Sequence, residues 1–159
     1  MTFIKKESVK RVQRVLREFE TNSDVIVLKN SARTALEAAS SLNCEVGAIV
    51  KSLLFKTEQS FTLCLVAGDK RASLNKLKKI LNMKDISMAS ANDVKNVTGF
   101  TIGGVSPIGH LNKVNILVDS SLKRFNQLFA AAGHPNYVFK INFSGLLKIT
   151  DGLIKEFVE

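Results

Sequence analysis

The sequence predicts an α/β fold of the mixed α+β kind, with helices packed around a mixed sheet. Three observations predict it. Apolar residues recur at helical spacing in some segments and form short β-rich runs in others. Two of those runs, Val46–Phe55 and Ser60–Val66, are separated only by the polar Lys56–Gln59 and read as a hairpin. Helical and extended segments interleave irregularly, which argues against a doubly wound parallel sheet. At 159 residues and 45% apolar, the chain is long enough to bury a core. It has two prolines and no repeat, low-complexity tract or linker, so residues 1–159 read as one domain.

The elements follow in order. Val9, Val12, Leu16 and Phe19 share one helical face, with Lys10, Arg14 and Arg17 on the other. Asp24–Leu28 is a short strand. Thr34-Ala35-Leu36-Glu37 has the capping-box pattern and opens a helix to Leu42, whose alanines allow close packing on a sheet. After the hairpin, Leu74, Leu77 and Leu81 mark a short helix with Lys76, Lys78 and Lys79 beside it. Ser90 caps a helix through Val97 that Gly99 ends. A glycine-rich segment runs to Gly109. Val114–Val118 is a strand, and Ser120–Ala132 is expected to be a helix ended by Gly133. Asp119 stands where it caps that helix. Tyr137–Phe143 is a strand and the C-terminal stretch is expected to be helical.

Composition narrows the function. The net charge of +9 favours a polyanionic partner, because each Lys or Arg that neutralises a phosphate releases a counterion. No apolar run reaches the roughly 18 residues of a membrane span, and the N-terminus from Met1 to Lys6 has no secretory apolar core; a cytoplasmic location and no membrane partner are expected. Cys44 and Cys64 sit on different elements without CxxC spacing and are expected to be reduced thiols. Those two with His110 and His134 are too few for a metal site, so neither metal nor cofactor is expected.

Two features invite chemistry. Lys51 interrupts the apolar run AIVKSLLF, and Ile49, Leu53 and Phe55 share its parity. A charge among apolar neighbours is expensive unless it is paired or faces a cleft. It stands either at the mouth of a pocket or on an outward strand face. Thr98–Gly109 holds four glycines and a proline in twelve residues, which neither a regular strand nor a helix accommodates. Such a segment either cradles a ligand with its backbone or forms a structural corner. Its spacing is not that of the nucleotide-binding GxGxxG.

Taken together, TALEAASSLNCEVGAIVKSLLF, MASANDVKNVTGFTIGGVSPIGH and VNILVDSSL resemble the YbaK family, related to the editing domain inserted in bacterial prolyl-tRNA synthetase. The likeness covers roughly residues 20 to 150, and its most specific parts are IVKSL and GGVSP. The resemblance implies a YbaK-like fold, a mostly antiparallel barrel-like sheet flanked by helices. It implies hydrolysis of the ester between a wrong amino acid and the terminal adenosine of a tRNA. Aminoacyl-tRNA is then the partner, tRNA for proline the expected one, and prolyl-tRNA synthetase a second. It places Lys51 as the anchor of the substrate near its 3′-terminal phosphate or ester. It gives Gly103, Gly104, Val105, Ser106 and Pro107 the role of a backbone cradle around the scissile carbonyl. Ser52, Phe55, Gly133 and His134 are the candidate substrate contacts. Ala131–Asn136 departs from the serine-alanine-glycine-lysine-arginine-glycine stretch of cysteine-editing relatives and argues against cysteine as the amino acid removed. Ser106 has no recognisable base, so covalent attack by it is not expected. The competing reading is a non-catalytic module of the same fold that holds tRNA or a synthetase on the basic stripes Lys10–Arg17 and Lys70–Lys84.

Overall fold

The computed structural model describes residues 6–19, 21 and 23–159; residues 1–5, part of the N-terminus read for a leader, lie outside them. Five helices, α1 (Glu7–Glu18), α2 (Ala35–Leu42), α3 (Leu74–Leu81), α4 (Ala91–Thr98) and α5 (Phe143–Thr150), surround one sheet. Its strands are β1 (Val25–Val27), β2 (Ile49–Thr57), β3 (Phe61–Ala67), β4 (Ile86–Met88), β5 (Asn115–Asp119), β6 (Leu128–His134), β7 (Tyr137–Ile141) and β8 (Leu153–Lys155). The order is β1-β7-β6-β2-β3-β5-β8, with β4 branching from β2. Pairs β1–β7, β2–β3, β2–β4 and β6–β7 are antiparallel; β2–β6, β3–β5 and β5–β8 are parallel.

Local sequence explains most of these elements. Thr34, Ser73 and Ser90 each accept a hydrogen bond from the backbone N–H three residues on, satisfying a donor that the first helical turn leaves free. Asn43, Asn82 and Gly99 end those helices in the left-handed conformation. In α1 the buried stripe is Val9, Val12 and Leu16, whereas Phe19 falls at the C-cap beyond the last helical turn and is 41% exposed. Cys44 and Cys64 are unpaired, and burial pushes the Cys64 thiol up to about 12.

Three segments differ from the sequence expectation. Ser120–Ala132 is not a helix: a short 3-10 turn, Ser120–Arg124, leads into β6. Leu122, Phe125, Leu128 and Phe129 mimic helical spacing, but Leu128, Ala130 and Ala132 are buried alternately, and Leu128–Ala131 pair with β7 before a register shift. Tertiary pairing outweighs the local pattern. The C-terminal stretch is helical only through Thr150 and then adds strand β8 beside β5. Ile86–Met88, unassigned from sequence, is β4 on the edge of β2.

The principal core lies between one face of the sheet and α1, α4 and α5, around Val12, Leu16, Leu65, Phe100, Leu122, Phe139 and Leu146. A second cluster on the other face joins Phe55, Cys64, Val66, Leu77, Ile86 and Phe157.

Candidate active site

The site arises from an interruption in the sheet. Strand β2 pairs with β6 only at Ile49 and Val50, and with β4 only from Phe55 to Thr57. Between them, Lys51–Leu54 has no strand on that edge among the described residues. The Ile49 carbonyl bonds Gly68 on the β3 side, and the Leu54 carbonyl bonds Ala89 on the other. Strand alternation therefore turns the backbone N–H and C=O of Ser52 toward the gap. A cavity of about 330 Å³ occupies this gap. Val50, Ser52, Leu54, Ala89, Val94, Val105 and Ala131 line its interior; Arg33, Lys51, Met88, Ile102 and Gly103 also border it.

Lys51 is half-buried at this cavity, and its Nζ donates to the Lys70 carbonyl at 2.6 Å. Burial pulls the Lys51 ammonium below the usual lysine range; Arg71 adds to this, while Asp69 and Asp119 oppose it. The loop that holds it is itself braced. Arg124 makes a bidentate pair with Asp69, at 2.7 and 2.9 Å, which holds the Asp69 carboxyl below its ordinary value. Behind it, the fully buried Asp119 accepts from Ala67 N at 3.0 Å, Ser121 N at 2.9 Å and Ser121 Oγ at 2.8 Å. Asp119 thus caps the 3-10 turn, as the sequence suggests, and also ties that turn to the end of β3.

Ser52 points to the opposite face of β2 from Lys51. Its Oγ is buried without a protein partner among the described residues. Phe55 does not reach the cavity: it has the parity of Lys51, lies farther along β2, and packs with Leu77 and Ile86 in the second cluster.

The glycine segment is divided in its duties. Gly103 and Val105 line the cavity. Gly103 has φ +93°, open to glycine at little cost. The Gly104 N–H is spent on the Thr101 carbonyl at 3.0 Å; the N–H groups of Gly103, Val105 and Ser106 have no protein partner among the described residues, and of these three residues Gly103 and Val105 line the cavity. Ser106 is buried away from the cavity; its Oγ accepts from Ile108 N at 3.3 Å, and its carbonyl is 2.7 Å from His110 Nε2. Pro107 borders a separate groove with Val15, His110 and Ile116. The whole segment is held by α1. Arg11 donates to the carbonyls of Gly109 and Gly99, each at 3.1 Å, and lies 4.9 Å from the Phe100 ring centroid.

Ala131–Asn136 supports the opposite wall. Ala131 lines the cavity, and the Pro135 carbonyl accepts from Ala32 N at 2.7 Å, fixing the Ala32–Ala35 wall. Gly133 adopts φ +98° against Ser8, whose Oγ bonds the Gly133 carbonyl at 2.9 Å. His134 stands just outside the cavity lining, its Nδ1 accepting from Asn136 N at 3.2 Å. Burial, then the charges of Lys6 and Arg33, hold its imidazole below the usual histidine range. A Cβ on Gly104 would stand 2.9 Å from His134 Cα and 3.0 Å from its N. Backbone cannot yield there as a flexible side chain would. Gly104→Ala should therefore shift the turn and cost about 1–3 kcal/mol in a thermal melt.

Sequence reasoning did not single out Arg33, Met88 or Ile102. Arg33 directly precedes the capping box, but nothing in the chain order brings α2, β4 and the glycine segment to one mouth. Among the described residues, no three His, Cys, Asp or Glu side chains gather as metal ligands would. Among the described residues, no helix is long and apolar enough to cross a membrane.

Fold and site together define a class: a mixed α/β domain with a small apolar pocket at a break in its sheet, bordered by a lysine and a glycine turn. Residues 29–149 match the aminoacyl-tRNA editing domain, and the chain belongs to that family. It is 32% identical over 135 residues to the uncharacterised protein YwhH of Bacillus subtilis (strain 168), covering 84% of this chain and 85% of that one. It is 32% identical over 124 residues to a proline–tRNA ligase of Caldicellulosiruptor bescii, covering 76% of this chain but 21% of the ligase. A solved structure described as a proposed trans-editing enzyme for prolyl tRNA synthetase superimposes with a TM-score of 0.92, at 34% identity over 98% of this chain and 99% of that one.

Proposed function

We propose that the protein is a trans-editing deacylase that hydrolyses the ester of mischarged tRNA, its substrate being tRNA for proline carrying a small non-cognate amino acid. The observation that carries this reading is the cavity between Ser52 and the Gly103–Val105 turn. It presents an interior of Val50, Leu54, Ala89, Val94 and Ala131 suited to a small side chain. Beside that interior lie a cation and two free backbone donors. Such a second, hydrolytic site supplies discrimination that a synthetase pocket lacks, since one small apolar group is worth only about 1–3 kcal/mol.

The arrangement accounts for the reaction in this reading. The amino-acid side chain occupies the apolar interior. The Ser52 backbone N–H and C=O, turned toward the gap, meet polar groups of the bound ester. Water attacks the carbonyl carbon, and the oxyanion that develops is met by the N–H groups of Gly103 and Val105. The bond to the ribose oxygen then breaks; that oxygen takes a proton and the free amino acid leaves. Lys51 anchors the negatively charged part of the substrate beside this centre and keeps the ester oriented. The residues lining the cavity include no carboxylate, histidine or thiol, so they offer neither an acid–base pair nor a cysteine nucleophile. An activated ester needs less help than an amide. The partners in this reading are an aminoacyl-tRNA and prolyl-tRNA synthetase.

The test is a deacylation panel. Proline tRNA charged separately with alanine, cysteine, serine, threonine, 2-aminobutyrate and proline is offered to the wild-type protein. At least one small non-cognate amino acid should be released well above the spontaneous rate, and proline retained. No release from any of them at stoichiometric enzyme, with tRNA still bound, would replace this reading with the binding module.

A further inference from the structure

Lys51 has two carboxylates in its electrostatic surroundings, Asp69 and Asp119, and one further cation, Arg71. The ion pairs among the described residues, Lys56–Asp93 and Arg124–Asp69, do not include it. Both carboxylates are committed elsewhere. Asp119 is spent on Ala67 N, Ser121 N and Ser121 Oγ. Both oxygens of Asp69 are taken by Arg124, from Nη1 to Oδ2 at 2.9 Å and from Nη2 to Oδ1 at 2.7 Å. Asp69 belongs to the turn Ala67–Lys70, which Lys70 N closes on the Ala67 carbonyl at 2.9 Å. The Lys70 carbonyl of that same turn receives the Lys51 ammonium.

Arg124 is itself fixed. Its Nε donates to the Ser121 carbonyl at 2.7 Å, and its guanidinium carbon lies 4.9 Å from the Phe125 ring centroid. That ring closes over Gly47, where an added Cβ would stand 2.7 Å from Phe125 and 3.0 Å from Asp69 Cγ. Gly47 lies in the 3-10 turn Val46–Ala48, directly before β2. Glu45 and Asp119 also face Arg124, and Lys70 faces Asp69. The Arg124 and Asp69 side chains are 40% and 37% exposed. An ion pair so exposed adds little to stability, even a bidentate one. What the pair decides is which cation the Asp69 carboxylate faces.

We propose that Arg124 is a positioning residue for Lys51: by occupying both oxygens of Asp69 it keeps that carboxylate off the ammonium, which is left to the substrate. This rests on the deacylase reading above and adds to it how the cation stays available. A lysine beside an unclaimed carboxylate forms an internal ion pair, which an anionic ligand must then displace. Arg124 wins the competition because its planar fork matches the carboxylate through two donors and keeps its proton.

The experiment compares wild type with Arg124→Ala, Arg124→Lys and the double variant Arg124→Ala/Asp69→Asn. Deacylation of mischarged proline tRNA is measured across pH. Separately, the titration of Lys51 is followed by NMR of carbon-labelled lysine side chains, its signal assigned by its loss in Lys51→Met. In Arg124→Ala the released carboxylate turns to Lys51, so KM should rise about tenfold with kcat nearly unchanged. Lys51 should then titrate at higher pH than in wild type, because a nearby carboxylate favours the ammonium, and the alkaline limb of activity should move up with it. Arg124→Lys should lose less. In the double variant the amide carries no charge, so KM and the Lys51 titration should return toward wild type although the brace is still missing. A purely structural brace predicts a double variant at least as poor as Arg124→Ala. A thermal melt checks folding, and loss of an exposed pair should lower Tm by no more than about 4 °C. Wild-type KM and wild-type Lys51 titration in Arg124→Ala overturn the proposal, and so does a double variant no better than Arg124→Ala. A wild type that releases no amino acid defeats the deacylase reading instead, while the shift of the Lys51 titration in Arg124→Ala and its return in the double variant still decide the charge arrangement.

Discussion

Lys51→Ala is expected to lower kcat/KM for a mischarged tRNA about a hundredfold while the protein stays folded. A charge-assisted hydrogen bond is worth about 1.5–3 kcal/mol, and each 1.4 kcal/mol is a factor of about ten. Among the described residues the ammonium hydrogen-bonds the Lys70 carbonyl, at 2.6 Å, so the loop positions it. Lys51→Met keeps most of the aliphatic stem and removes the charge. It should show the same loss, which separates charge from packing. The pH profile follows from the direction of the shift. The working form is the ammonium, and burial holds its pKa below 10.5. Activity should therefore fall on the alkaline side at a lower pH than an ordinary lysine would give, once spontaneous ester hydrolysis is subtracted. In Lys51→Met that limb should be absent. A variant rate within twofold of wild type would remove Lys51 from the site.

Asp119→Ala is expected to cause the largest loss of stability, about 3 kcal/mol, and a Tm lower by on the order of 10 °C. The carboxylate is fully buried and accepts three hydrogen bonds, two of them through Oδ2 from Ala67 N and Ser121 Oγ. Truncation leaves the Ala67 N–H, at the end of the central strand β3, with no partner in a dry interior. Asp119→Asn keeps one carbonyl oxygen and should lose less. The consequence reaches the site through chain connectivity, since Ala67 immediately precedes the Gly68–Lys70 loop whose carbonyl holds Lys51. A melt of Asp119→Ala within 1 °C of wild type would contradict this account.

These two residues also show what the chain discloses by itself. Lys51 was legible because a charge among apolar neighbours of one strand has few explanations. Asp119 was legible as a cap, from its place before Ser120, but its bond to Ala67 spans 52 positions and leaves no local trace. The same limit governs the fold. Caps at Thr34, Ser73 and Ser90 are written in adjacent residues, and so are the paired strands β2 and β3. Strand β6 is not: Leu122, Phe125, Leu128 and Phe129 satisfy a helical period, and its partners β7 and β2 decide for a strand. Phe55 is a candidate substrate contact in the sequence, whereas the cavity opens on Ser52 and the second core takes Phe55. Likewise Ser106 and Pro107 belong to the glycine motif but not to the cavity wall, which this segment supplies through Ile102, Gly103 and Val105. The mouth residues Arg33, Met88 and Ile102 come from three separate segments, and proximity of that kind exists only after folding.

In the proposed function, the cavity beside the unpaired edge of β2 hydrolyses an aminoacyl ester. The most direct test is single-turnover release of labelled amino acid from mischarged proline tRNA, measured side by side for wild type and Lys51→Met at equal folded concentration. Wild type should release the amino acid rapidly, and the variant roughly a hundredfold more slowly. Equal rates for the two proteins, or release by neither, would contradict it.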